Sequence, residues 1–236
     1  YGALADAASL VASPQLRNQG TIGGNLNQKP RCWYYRGAFD CLRRGGDICY
    51  AVDGENQYHC IFGGDRCYIV HPSDPAPALI ALDAMVRIVG PAGSRTIPVA
   101  ELHVPPATDP QRETVLERGE VVTEVMLPKA PAGLRSSYRK VRVRQSWDFA
   151  LAGVALALTV DGDGRVERAR VVLSGVAPVP WRSKPAEKAI VGEPLNEATA
   201  AKAGAAAIEG AQALALNGYK IPLLEGLVRE QLLGLA

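Results

Sequence analysis

Five cysteines, at positions 32, 41, 49, 60 and 67, crowd into one short window, and no other occurs in the chain. No other feature restricts the fold so strongly. A secreted disulfide scaffold spreads its bridges along the chain and pairs them. A core of free thiols would have apolar neighbours. Here the neighbours in sequence are Arg31, Asp40, Arg43, Arg44, Asp47, Glu55, Asp65 and Arg66. Thiolates are soft ligands suited to iron–sulfur clusters, zinc or copper(I). Zinc ribbons use tight Cys-x2-4-Cys knuckles, and this window has none. Wide, uneven spacing suits a loop wrapped round something larger than one ion. A cubane cluster takes four thiolates, which would leave one cysteine spare. On spacing alone, zinc and a metal-free loop stay open beside the cluster.

The rest of the composition narrows the classes. The chain has 236 residues, 47% of them hydrophobic, enough for a core and for one or two domains. Lys+Arg 26 against Asp+Glu 24 leaves a net charge of +2. Without a run of like charge, neither nucleic acid nor an anionic membrane is an expected partner. No apolar stretch is long enough to span a bilayer. No basic-then-apolar leader is present, so no signal peptide is expected. The expected compartment is the cytoplasm, or the periplasm by co-export with a partner that carries the signal. The chain opens at Tyr1 within a helical pattern over Ala3–Val11, as though an upstream piece of the domain were missing.

Along the chain, residues 1–28 read as helix then loop, and residues 29–72 as a cysteine-rich insertion with little periodicity. A loop of that length is uncommon unless functional or tied by metal. Ser73-Asp74-Pro75 resembles a helix start. Met85–Val89, Thr96–Val99 and Val121–Leu127 read as strands. Pro128–Gly133 is the best linker. Ser137–Arg144, Ala150–Val160 and Val166–Gly175 read as further strands, the last two joined by an Asp161-Gly-Asp-Gly164 turn. Asn196 is expected to cap an Ala-rich helix running to Leu216, and Leu223–Leu235 forms a final amphipathic helix. Strands followed by helices make an α+β pattern with an antiparallel sheet.

Two further segments can carry chemistry. Glycine N–H groups in Thr21-Ile-Gly-Gly-Asn25 can cradle phosphate, although on these residues alone an ordinary tight turn is the better reading. Ser73 and Asp74 read first as helix capping and second as a ligand-binding pair. His59, His71 and His103 have no recognisable acid–base partner and are expected to be structural.

Taken together, Leu16-Arg-Asn-Gln-Gly-Thr-Ile-Gly-Gly-Asn-Leu26, Ser73-Asp-Pro-Ala-Pro-Ala-Leu79, Tyr138–Arg144, Asp148–Ala152 and Gly175–Arg182 resemble the medium, FAD-binding subunit of the xanthine dehydrogenase (molybdenum hydroxylase) family. The resemblance implies an α+β fold in two parts. Residues 1–129 would be the second FAD-binding subdomain, interrupted by a cluster loop at 29–72. Residues 130–236 would be the flavoprotein C-terminal domain, an antiparallel sheet with helices on one face. It implies FAD contacts from Gly20, Thr21, Gly23, Gly24 and Asn25, with Ser73 and Asp74 near the flavin or ribityl group. Val122 would pack on the flavin region, and Lys140 or its neighbour Arg139 would sit near the ring. The cysteine insertion resembles that of the aromatic aldehyde oxidoreductase branch, which implies a [4Fe-4S] cluster on Cys32, Cys41, Cys49 and Cys67 with Cys60 spare.

The same resemblance implies an oxidoreductase subunit with no catalytic residue of its own. Its partners would be a large molybdopterin-binding subunit and a small [2Fe-2S] subunit, and it would pass electrons from the [2Fe-2S] centres to FAD and an external acceptor. The family's N-terminal FAD subdomain has no counterpart here. Two alternatives are a 4-hydroxybenzoyl-CoA reductase-type subunit with reversed electron flow and a zinc-stabilised interaction module.

Overall fold

A computed structural model describes residues 1–236. The first half holds helix α1 (Gly2–Ser9), short helices α2 (Pro14–Gln19), α3 (Ile22–Leu26) and α4 (Trp33–Arg36), and helix α5 (Pro75–Ala81). Strands β1 (Met85–Gly90), β2 (Gly93–Pro98) and β3 (Val121–Met126) form an antiparallel sheet of order β2-β1-β3. The second half holds β4 (Arg135–Val141), β5 (Ala152–Val160), β6 (Val166–Ser174) and β7 (Trp181–Arg182), antiparallel in that order. Helices α6 (Lys184–Ile190), α7 (Glu197–Ala207) and α8 (Lys220–Leu233) complete the chain. No helix is long and apolar enough to cross a membrane.

Strand β5 explains the architecture. Eight of its nine residues are buried, on both faces. A strand covered on one side alternates apolar and polar, whereas one covered on both sides reads as a continuous apolar run. Val154, Leu156 and Leu158 point into a core shared with α6, α7 and α8. Ala155 and Ala157 face the other way, into a core shared with α1 and α5 of the first half. The second-half helices therefore lie on one face of the sheet, and first-half helices cover the other. Small residues on that second face let α1 and α5 come close. At Gly2 the approach is so tight that a Cβ would run into the Ser136 carbonyl. The N–H of Ala3 donates to Ser136 Oγ at 3.2 Å, and that of Tyr138 donates to Asp6 Oδ2 at 3.1 Å.

Three local expectations change. Helix α7 ends at Ala207, not Leu216. The chain then turns away over residues 208–210, where Gly210 adopts φ +76°. It then pairs with the cysteine loop, where Gln212 N–H donates to the Ile61 carbonyl at 2.7 Å. Helix α6 was not anticipated, although Ser183 accepts from Ala186 N–H and Pro185 sits in the first turn, both ordinary start signals. Strand β4 ends at Val141, three residues before Arg144.

Candidate functional site

Helix α3 is only five residues long. Thr21 caps it, accepting from Gly24 N–H at 3.0 Å. A Cβ on Gly23 would lie 3.3 Å from the Val122 carbonyl oxygen, so a side chain there would lift the helix off β3. Val122 is thus the backing of α3. Gly20, Thr21 and Gly24 are exposed. Asn25 turns inward, and its Oδ1 accepts from Ser73 Oγ at 2.6 Å. The Ser73 hydroxyl also accepts from Ala76 N–H at 3.1 Å. Ser73 therefore caps α5 and joins it to α3 at once.

Asp74 does not cap. Its side chain makes no bond to the helix start. Instead Oδ1 accepts from the Tyr138 hydroxyl at 2.9 Å and Oδ2 from Lys140 Nζ at 2.7 Å. The Tyr138 hydroxyl also lies 3.1 Å from Ser174 Oγ. Burial pushes the Asp74 carboxyl above its usual range even against the Lys140 charge. Burial, reinforced by that carboxylate, holds the Tyr138 phenol well above its ordinary value. Arg139 projects to the opposite side of β4, where it pairs with Glu230 at 3.0 Å. Strand alternation sends Lys140 to Asp74 and Arg139 to the surface.

Ser73 and Asp74 form part of the wall of a cleft of about 370 Å³, whose lining also includes Cys32, His59, Phe149 and Gly175. Gly20, Thr21, Gly23 and Gly24 lie outside this lining and connect to it through Asn25. Trp33, Tyr58, Val143 and Phe149 leave large apolar surface exposed around the cleft. The Arg31 guanidinium sits 5.3 Å from the Phe149 ring centroid, a cation–π contact across the rim.

Beside the cleft is a narrow chamber of about 10 Å³ whose lining includes Cys32, Cys41, Cys49 and Cys67 among aromatic and aliphatic residues. Cys60 is absent from it, although it is fully buried. Burial pushes the Cys60 thiol up to about 12. Cys49 and Cys67 share a hydrogen bond, which lowers Cys49 to about 6 and, with burial, raises Cys67. No three His, Cys, Asp or Glu side chains gather tightly enough to hold a single metal ion.

His59, expected to be structural, and Lys220, which the sequence did not single out, tie this region together. His59 Nε2 lies 3.3 Å from Cys32 Sγ, and both residues line the cleft and the chamber. Burial, with the nearby Lys220 charge, lowers the imidazole to about 4. Lys220 is fully buried; its Nζ donates to the Tyr58 carbonyl at 3.1 Å and the Gly175 carbonyl at 2.6 Å. Burial lowers its ammonium to about 8. No local pattern signals either contact, because the partners lie far apart in sequence. The other two histidines form a structural pair, His71 and His103, with ring centroids 4.1 Å apart.

Residues 1–130 match the FAD binding domain in molybdopterin dehydrogenase, and residues 136–233 match the CO dehydrogenase flavoprotein C-terminal domain. Among similar proteins, the aldehyde oxidoreductase FAD-binding subunit PaoB of Escherichia coli (strain K12) is 42% identical over 191 residues, 79% of this chain and 58% of that protein. The carbon monoxide dehydrogenase medium chain of Hydrogenophaga pseudoflava is 30% identical over 206 residues, 87% of this chain and 55% of that one. The chain thus spans a little over half the length of these two relatives. A solved structure of carbon monoxide dehydrogenase from Hydrogenophaga pseudoflava superposes with a TM-score of 0.69 at 28% identity, covering 97% of this chain and 64% of the other. With family models matching both halves of the chain, this chain is a member of the FAD-binding medium-subunit family of the molybdenum hydroxylases.

Proposed function

We propose that this chain is the part of an electron-transfer flavoprotein subunit that carries a [4Fe-4S] cluster on Cys32, Cys41, Cys49 and Cys67 beside its FAD site. The observation that carries the reading is the chamber those four cysteines line, with Cys60 outside it and the Ser73–Asp74 cleft adjoining it. Four thiolates are the ligand set of a cubane; the gap they line, about 10 Å³ with Cys49 and Cys67 hydrogen-bonded to each other, would have to widen to take one. They suit a lone zinc ion poorly, since zinc needs its sulfurs at about 2.3 Å from one point.

FAD would be held by Gly20, Thr21, Gly23, Gly24 and Asn25, with Ser73 and Asp74 beneath the flavin side. Val122 supports this arrangement by backing Gly23. Lys140 supports it by fixing the direction of Asp74. The cofactors supply the redox chemistry; the chain positions them and sets the local charge. In this reading residues 1–129 and 130–236 act as two parts of one subunit. Its partners are a molybdopterin-binding large subunit and a [2Fe-2S] small subunit, and it links their centres to an external acceptor.

The test is metal and flavin analysis of the anaerobically purified protein with its partner subunits. The proposal predicts FAD and about four iron atoms per chain, with visible absorption that bleaches on reduction. Stoichiometric zinc without iron would overturn it.

A further inference from the structure

We propose that His59 sets the reduction potential of the cluster by donating an Nε2–H···S hydrogen bond to Cys32, and that the segment 216–220 holds it there. The inference rests on the four-cysteine cluster reading above. His59 Nε2 lies 3.3 Å from Cys32 Sγ, within the reach of a hydrogen bond to sulfur. A ligating cysteine is a thiolate and has no proton to give. In the cluster-bound protein the imidazole must therefore be the donor through Nε2.

The backbone that carries the ring is held on both sides. Its backbone N–H donates to the Asn56 carbonyl at 2.9 Å. Its carbonyl accepts from Asn217 Nδ2 at 3.1 Å, and the same nitrogen also donates to the Cys60 carbonyl at 3.0 Å. Leu216 N–H donates to Asn56 Oδ1 at 2.8 Å, and Lys220 Nζ donates to the Tyr58 carbonyl at 3.1 Å. The loop on either side of His59 is thus anchored to the entry of α8. His59 is 6% exposed, so water does not compete for Cys32 from that side. Ring nitrogen Nδ1 is buried and has no partner.

One electron added to an iron–sulfur cluster increases the negative charge on its cysteine sulfurs. A hydrogen-bond donor stabilises that reduced state and raises the potential, and no proton need move. Cys32 and His59 line both the cysteine chamber and the cleft. The sulfur so adjusted is therefore the one that borders the flavin side. His59 acts as a positioning and tuning residue through Cys32.

The experiment is a redox titration of the cluster, followed by electron paramagnetic resonance, in the complete anaerobic complex. The proteins compared are wild type, His59→Leu and His59→Gln, each with iron counted. Both variants are expected to keep wild-type iron. The potential of His59→Leu is expected to fall below wild type. That of His59→Gln, whose amide N–H is a less well-placed donor, is expected to lie between the two. An unchanged potential in His59→Leu overturns the inference. Where that variant does not assemble its cluster, an unchanged potential in His59→Gln does so. Iron lost from both variants overturns it as well, since His59 would then be a support for assembly. Wild-type protein without iron instead overturns the cluster reading itself.

Discussion

Lys140 Nζ lies 2.7 Å from Asp74 Oδ2, and the two side chains are 1% and 7% exposed. One residue comes from the sheet of the second half and the other from the start of α5, so the pair bolts the two halves together. Burying a charge is tolerable only while its partner is present. Asp74→Asn leaves the Lys140 ammonium buried without a counter-charge and should lower stability by roughly 3–5 kcal/mol. Urea unfolding checks this; a loss below about 1 kcal/mol, the range of an exposed ion pair, would show that water reaches the site. The same variant should also weaken FAD retention, because it removes the carboxylate from the cleft wall.

The His71–His103 pair makes stability sensitive to acid. His103 donates from Nε2 to the Leu26 carbonyl at 2.9 Å, and burial lowers its imidazole to about 4. Burial, with the neighbouring His103, lowers His71 well below its ordinary value. Both rings therefore stay neutral in the folded chain at pH values where the unfolded chain takes up protons. Stability is retained above pH 6.5 and lost as pH falls from about 6.5 toward 4, by roughly 3 kcal/mol for His103. His103→Gln should flatten that part of the stability–pH curve. An unchanged slope would place the acid sensitivity elsewhere.

Asn217 is fully buried and serves three partners: the carbonyls of His59 and Cys60, and the N–H of Leu214 at 2.7 Å. Asn217→Ala strands these groups, each unsatisfied buried group costing about 1–3 kcal/mol. The urea midpoint should fall, and a protease should cut residues 56–61 faster. An unaltered cleavage rate would mean that the loop does not depend on this anchor.

Much of the fold was legible because it rests on local pattern. Alternation marked β1, a β-branched run marked β3, and the Asp161-Gly-Asp-Gly164 turn marked the β5–β6 hairpin, whose Gly164 adopts φ +77°. The continuous apolar run of β5 signalled burial without saying what covered each face. The site was legible only in part. The four cysteines that share the chamber are those the family resemblance singled out. Ser73 and Asp74 looked alike as helix-start residues, yet only Ser73 caps. Asp74 is drawn to Lys140, 66 positions away, and no local pattern encodes such a pairing. The contact of His59 with Cys32 was hidden for the same reason, since the two lie 27 positions apart. The early end of α7 is a tertiary effect as well. The stretch after Ala207 has helix-forming residues, but its backbone and Asn217 bond to the cysteine loop instead.

The most direct measurement is iron per chain in Cys41→Ser and Cys60→Ser, purified anaerobically beside wild type. Cys41 lines the chamber and Cys60 does not. A cubane needs all four of its thiolates. The account predicts that Cys60→Ser keeps wild-type iron, about four atoms per chain, whereas Cys41→Ser loses most of it. Equal loss from both, or iron retained by both, would contradict the assignment of the cluster to Cys32, Cys41, Cys49 and Cys67.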